Sequence, residues 1–241
     1  MVNYAIILAG GKGERLRPYT DKLPKPMIPV LGRPLMEYQV LWLKHEGVKN
    51  LVLCCSYKHE AIKDYFQDGS KWGMKFDYAI EDEPLGRGGA FKNALKFIPE
   101  SEKVIIGANG DELTGEPMEP MVQYHVKNNA AGTLLLIHLV SPFGIVELAE
   151  NGEVSEFREK PELPHWISAG VYVLNRSTIE LFPDKGDHED TAFPKLATEG
   201  KLFGYPATTS RTTINTVKEL NEANKELINR LPPYMLPENK E

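Results

Sequence analysis

Three short runs constrain this chain more than anything else in it: Tyr4–Leu8 (YAIIL), Asn50–Cys55 (NLVLCC) and Lys103–Ala108 (KVIIGA). Each is too short for a buried helix, and none alternates polar with apolar. Continuous apolar residues over four to six positions mean strands covered on both faces, the situation of a parallel sheet between two layers of helices. The intervening segments supply those layers. Pro34–Glu46 carries Leu35, Met36, Tyr38, Leu41, Trp42 and Leu43 close to helical spacing, and His59–Gln67 places Ile62, Tyr65 and Phe66 on one side. Phe76–Ile80 reads as a further strand, Ala90–Ile98 as a helix with Phe91, Leu95 and Ile98 inward, and Pro117–Asn129 as another helix. Strand and helix alternate, which makes the chain α/β.

Beyond residue 130 the pattern is more antiparallel. Thr133–Val140 is a long strand, and Gly144–Leu148 and Glu153–Glu159 flank the hairpin signal ENG. Ile167–Leu174 is another strand, and helices return at Asp190–Thr198 and Val217–Arg230. No repeat or linker interrupts residues 1–230, so they are expected to form a single domain. The Pro-rich tail 231–241 is expected to be loosely ordered.

Composition narrows the function. A net charge of -6 argues against a nucleic-acid surface. No apolar run approaches the roughly 20 residues of a membrane span. The start, MVNYAIILAGG, has no basic n-region and is not expected to be a signal peptide. Cys54 and Cys55 are adjacent and suit no disulfide framework, so a cytoplasmic protein is expected. On an apolar strand they read as core, since zinc sites use spaced ligands.

Against this acidic background the segment LAGGKGERLRP, residues 8–18, stands out. It follows the first strand directly, where open parallel sheets bind ligands. Gly10, Gly11 and Gly13 let backbone N–H groups approach an anion. The segment is neither GxxxxGK[ST] nor GxGxxG, because Leu16 stands where a third glycine would fall. A tight turn with solvated charges is the alternative. Downstream, Pro18, Pro24, Pro26 and Pro29 stiffen a loop and flank Lys25, which is therefore held in place or else is a surface charge.

GGKGERLRPYTDKLPKPMIPV resembles the signature of the sugar-1-phosphate nucleotidyltransferases, the nucleotide-sugar pyrophosphorylases, in the style of short mannose-1-phosphate and heptose-1-phosphate guanylyltransferases. Further segments follow in the family's order: EDEPLGRGGA at 81–90, NGD at 109–111, FREKP at 157–161, SAGVYVL at 168–174 and INTVKEL at 214–220. The resemblance implies a Rossmann-like three-layer fold, with a mixed, mostly parallel sheet and a small antiparallel portion on the sugar side. It also implies an NTP and a sugar-1-phosphate as substrates, Mg²⁺ as cofactor, and no nucleic-acid or membrane partner. A homodimer stays open.

By the same resemblance, Leu8, Ala9, Gly10, Gly11, Gly13 and Gly110 wrap the nucleotide. Arg15 holds the triphosphate and leaving pyrophosphate, because a guanidinium can bind two oxygens at once. Lys25 approaches the reacting phosphorus. Asp111 binds Mg²⁺, against the alternative of a turn or N-cap aspartate, and Asn215 stands where relatives usually carry the second metal aspartate. Glu159 and Lys160 take the sugar hydroxyls and phosphate, against the alternative of an exposed ion pair. Gly144 and Gly170 lie close to the sugar ring. Ser168, where relatives often have Asn, and Arg87, where Thr or a small apolar residue is commoner, are departures. Glu189, before TAFPKLA, is a further sugar-side candidate or an ordinary helix-start acid.

Glu81 and Gly86 occupy the positions where relatives read the base. A carboxylate supplies only acceptors and matches the adjacent N1–H and 2-amino donors of guanine, whereas a Gln amide suits uracil or thymine. GTP is therefore favoured over UTP or dTTP. A solvated acid in the run Glu81-Asp82-Glu83 is the alternative. Three rivals stay open: a UTP- or dTTP-dependent enzyme, transfer to a non-sugar phosphate such as phosphocholine, and a non-catalytic relative that binds a nucleotide-sugar.

Overall fold

The computed structural model describes residues 2–236. Its strands and helices, in chain order, are β1 (Tyr4–Leu8), β2 (Pro29–Val30), β3 (Arg33–Pro34), α1 (Leu35–His45), β4 (Asn50–Cys55), α2 (His59–Phe66), β5 (Lys75–Ile80) and α3 (Gly86–Ala94). Then come β6 (Val104–Asn109), β7 (Glu112–Thr114), α4 (Met118–Lys127), β8 (Gly132–Val140), β9 (Ile145–Leu148), β10 (Val154–Arg158), β11 (Glu162–Asn175) and α5 (Arg176–Glu180). The last are α6 (Ala192–Thr198), β12 (Leu202–Pro206), β13 (Arg211–Thr213) and α7 (Val217–Glu226).

Seven strands form the central sheet in the order β12-β8-β11-β6-β1-β4-β5. β5, β4, β1 and β6 are mutually parallel, β11 runs antiparallel to both β6 and β8, and β12 pairs parallel with β8. One strand of the seven thus opposes the rest, and the expected mixed, mostly parallel sheet is present. The half beyond residue 130 is less antiparallel than its sequence pattern suggests, because of β12. That strand, LFGYP, holds a glycine and a proline and gives little strand signal of its own.

Successive strand side chains point to opposite faces, and the core divides accordingly. Ala5 and Ile7 of β1, with Leu51, Leu53 and Cys55 of β4, join α1, α2, α4 and α7 on one face. Ile6, Val52 and Cys54 join α3, α5 and α6 on the other. Ile6 and Ile7 are both fully buried, each worth roughly 1.5–3 kcal/mol. Both layers are needed because no strand face here could be left in water.

Several boundaries differ from the sequence expectation: β11 starts at Glu162 rather than Ile167, and α7 ends at Glu226 rather than Arg230. α3 begins at Gly86 rather than Ala90, through three glycines that are poor helix formers. Packing explains it: a Cβ on Gly89 would overlap the Asp184 carbonyl oxygen, so glycine lets the loop 183–189 lie flush on the helix. Residues 231–236 are also not loose. Met235 is buried, Tyr234 stacks on His45 of α1 with ring centroids 3.8 Å apart, and Arg33 donates to the Met235 carbonyl at 3.3 Å. The rest of the expected tail, 237–241, lies outside the described residues.

Among the described residues no helix is long and apolar enough to cross a membrane.

Candidate active site

The carboxyl ends of β1, β4, β5 and β6 deliver Leu8, Cys55, Ile80 and Asn109 to one edge of the sheet. Beyond that edge lies a cavity of about 450 Å³. One wall is the turn Leu8–Gly11, another is Asn109–Gly110–Asp111, and a third is Glu81, Gly86 and Arg87, closed by Asp187. The open-sheet rule that ligands bind beyond strand carboxyl ends is met here by a real recess.

The cationic and metal-side candidates converge at the cavity's edge. Lys25 Nζ donates to Asp111 Oδ2 at 2.5 Å and to Asn215 Oδ1 at 2.7 Å. Arg15 also donates to Asn215 Oδ1, at 3.1 Å. Three regions far apart in sequence, the loop carrying Arg15 and Lys25, Asp111 and Asn215, therefore meet through hydrogen bonds. Lys25 gets there because its proline-flanked turn packs on Gly13. Gly13 has φ +64°, and a Cβ on it would lie 2.8 Å from Lys25 Cβ. Asn215 gets there because Glu219, N3 of α7, accepts its N–H at 2.6 Å within the Thr216 capping box. The antiparallel pair β7–β13 ties the segment down further: Glu112 is buried and grips both Arg211 and Thr213.

The Asp111 and Asn215 oxygens already share one ammonium, so they are spaced to share a cation. One carboxylate and one amide carbonyl suit Mg²⁺, which takes few protein oxygens and fills its shell with phosphate and water. Among the described residues no group of three or more His, Cys, Asp or Glu side chains could hold a metal alone.

The expected glycines have distinct physical reasons. Gly110 lines the cavity, donates its N–H to the Leu8 carbonyl at 2.7 Å, and leaves no room for a Cβ, which would overlap that oxygen. Gly86 has φ +75° and abuts Gly186. Gly11 is open, with nothing within 4 Å of where a Cβ would sit, and is free to face a ligand. Gly144 and Gly170 are expected to give room to a sugar ring. In the structure a Cβ on Gly144 would meet the Phe157 ring at 2.6 Å, and one on Gly170, at φ +70°, would meet Asn109 Nδ2 at 2.6 Å. The positive φ demands glycine at 170, whereas at 144 the clash is only with the tip of the exposed Phe157 ring, which can turn aside.

Glu81 continues β5 into the cavity wall and accepts the Leu85 N–H at 3.1 Å on Oε2. Burial pushes its carboxyl pKa up, and the Leu85 bond partly offsets this. Glu159 and Lys160 follow β10 and are exposed, with Lys160 in the left-handed region at φ +46°. They are not part of the cavity wall. Glu189 is not free either: its Oε1 pairs with Arg87 Nη1 at 2.8 Å.

Asn109, Ser56, Asp187 and Arg87 line the cavity, although the sequence alone marks none of them as a ligand. Asn109 has a signal, the end of an apolar strand. The Arg87–Asp187 pair has none, because its members are 100 residues apart.

Comparison with known proteins fits this geometry. Residues 4–225 match the family described as nucleotidyl transferase. A D-glycero-alpha-D-manno-heptose 1-phosphate guanylyltransferase of Aneurinibacillus thermoaerophilus is 34% identical over 229 residues, covering 92% of this chain and 97% of that protein. A mannose-1-phosphate guanylyltransferase of Mycobacterium tuberculosis is 32% identical, over 95% of this chain and 66% of its own length. A UTP–glucose-1-phosphate uridylyltransferase of Synechocystis is 31% identical, over 83% of this chain and 56% of its own length. The chain thus spans nearly all of the first of these relatives and only part of the other two. Among solved structures, HddC of Yersinia pseudotuberculosis complexed with GMP-PN superposes with a TM-score of 0.73 at 25% identity, covering 93% of this chain and 99% of that one.

Proposed function

The chain belongs to the nucleotidyl transferase family, and from that premise we propose that it is a sugar-1-phosphate guanylyltransferase. It takes GTP and a sugar-1-phosphate and releases a GDP-sugar and pyrophosphate. The observation that carries this reading is the meeting of Arg15, Lys25, Asp111 and Asn215 at the edge of a cavity that Glu81 also lines.

A sugar phosphate is mostly dianionic at neutral pH, its second pKa lying near ~6, so it needs no general base. Its oxygen attacks the α-phosphorus of GTP. A new P–O bond forms, the bond to the β-phosphate bridging oxygen breaks, and pyrophosphate leaves with that electron pair. The protein's task is to bring two polyanions together and offset their charge. Arg15 and Lys25 supply fixed positive charge at the phosphates, and the glycine turn supplies N–H donors. Asp111 and Asn215 would hold Mg²⁺, which supplies further neutralisation of the triphosphate and its leaving group. Glu159 and Lys160 take the sugar phosphate as it enters from the hairpin side. Residues 1–230 form the one catalytic domain in this reading, and the cytoplasm is its location.

Glu81 selects guanine because its carboxylate can accept two adjacent donors, the Leu85 bond leaving lone pairs on both oxygens. The Synechocystis relative favours a second reading, UTP in place of GTP. Asn215, which lacks the formal charge of the usual metal carboxylate, keeps a non-catalytic reading in view. One experiment separates all three. Pyrophosphate release is measured with Mg²⁺ across GTP, UTP, dTTP, CTP and ATP, against mannose, glucose and heptose 1-phosphates and phosphocholine. GTP with a sugar-1-phosphate should be fastest. Preference for UTP or dTTP overturns the base assignment, and no release from any pair overturns the enzyme.

A further inference from the structure

The wall between α3 and the loop 183–189 holds a charged pair that the reaction described above does not use. Arg87 is the second residue of α3. Its backbone N–H donates to Asp187 Oδ1 at 2.7 Å, and its guanidinium Nη2 donates to Asp187 Oδ2 at 2.9 Å. The other guanidinium nitrogen is braced by Glu189 Oε1 at 2.8 Å. Arg87 and Asp187 both line the cavity and both stay partly open, at 48% and 31% side-chain exposure.

The pair is rigidly mounted. Gly88 and Gly89 donate to the Gly186 carbonyl at 2.9 and 3.3 Å, and Gly186 donates to the Leu85 carbonyl at 2.7 Å. His188, between the two carboxylates in sequence, is fully buried among Phe91, Phe182, Phe193 and Tyr172. Alternation along the segment thus pins one residue inward and leaves its neighbours on Arg87. Tyr172 belongs to β11, the strand that also carries Ser168 and Gly170. The pair therefore reaches toward β11 from α3, a helix that itself packs on β1, β4 and β5, and it shares the cavity with the glycine turn.

We propose that Arg87 and Asp187 form a specificity element for the sugar ring, in which a guanidinium donor and a carboxylate acceptor, locked side by side, read a pair of neighbouring ring hydroxyls. A hydroxyl is donor and acceptor at once, so two adjacent hydroxyls complement an adjacent acceptor and donor. A ring lacking one of them leaves a guanidinium N–H or a carboxylate lone pair without a partner in a site closed to water, which is where discrimination is strongest. The inference rests on the sugar-1-phosphate reading.

The test is coupling between a residue and a hydroxyl. kcat/KM is measured with GTP against mannose 1-phosphate and its 2-, 3-, 4- and 6-deoxy derivatives, or the same series on glucose if the wild type turns that over faster. The wild type should reject at least one deoxy sugar tenfold or more. Asp187→Asn, which keeps the shape of the loop, and Arg87→Leu should both shrink that same ratio to below about threefold. KM for GTP, and the ratio of GTP to 2′-deoxy-GTP, should move less than twofold. If both variants slow every sugar equally, the pair is only a loop clamp and the proposal fails. If the GTP to 2′-deoxy-GTP ratio moves instead, the pair reads the ribose and the proposal fails. A wild type inactive on every sugar phosphate refutes the underlying reading rather than this element.

Discussion

His188 should make the protein acid-sensitive, by an amount that follows from its surroundings. Its ring is fully buried, stacks on Phe182 with centroids 4.7 Å apart, and meets the edges of Phe91, Phe193 and Tyr172. Neither ring nitrogen makes a hydrogen bond among the described residues, although Nδ1 lies 3.4 Å from Glu189 Oε2. Burial, aided by the Arg87 charge and opposed by Asp187, lowers its pKa from 6.5 to about 4. The imidazole is therefore neutral in the folded state and protonates readily only when unfolded. Between those two values the unfolded chain binds more protons, so stability is fully present above pH 6.5 and falls as pH drops toward 4. At roughly 1.4 kcal/mol per pH unit the full loss is on the order of 3 kcal/mol, with about 2 kcal/mol gone by pH 5. His188→Phe keeps an aromatic ring in the box and removes the titration. Urea unfolding of both proteins from pH 7.5 to 4.5 isolates the effect, because other titrating groups cancel in the difference. The wild type should lose about 2 kcal/mol relative to the variant by pH 5. Parallel pH curves would refute the reasoning and mean that the ring finds a proton acceptor when charged.

Four substitutions test the catalytic assignments. Asp111→Ala should cut kcat more than tenfold, at least ~1.4 kcal/mol of barrier, with the unfolding midpoint little changed; a smaller loss removes Asp111 as the main metal ligand. Asn215→Asp should tighten Mg²⁺ on the order of tenfold in a titration of activity, by restoring a formal charge to the shell. No shift would place Asn215 outside that shell. Lys160→Ala should raise KM for the sugar phosphate roughly tenfold while KM for GTP stays put; equal changes contradict its assignment to the sugar phosphate. Glu81→Gln should lower kcat/KM for GTP about ten- to a hundredfold and narrow its lead over UTP, and an unchanged GTP:UTP ratio would show that Glu81 does not read the base.

Contiguity decides what a sequence can show. The glycine turn and Asp111 are readable because each lies in a short motif at the end of an apolar strand, where a sheet opens, and Lys25 because prolines flank it. The hairpin of β9 and β10 is readable from ENG alone. Asn215 reaches the metal side only through the family pattern, since nothing local says that Glu219 and the β7–β13 pair will carry it to Asp111. The start of α3 is hidden because its glycines are chosen for contact with residues near 186, not for helix propensity. Arg87 draws notice only as a departure, and its two carboxylate partners require the fold. At Gly170 a sequence cannot distinguish room for a ligand from a backbone turn at positive φ packed on Asn109.

The grip of Glu112 on Arg211 and Thr213 has a consequence for synthesis. The strand pair it secures joins two segments about 100 positions apart, and the later one brings Asn215 to Lys25 and Asp111. A chain emerging from the ribosome can thus build the glycine turn and the first parallel strands long before the cation site proposed above can assemble. Closing so distant a contact is slow and comes late. Turnover is therefore reserved for molecules in which β13 and α7 have docked, and an unfinished chain holds no assembled centre with which to waste nucleotide.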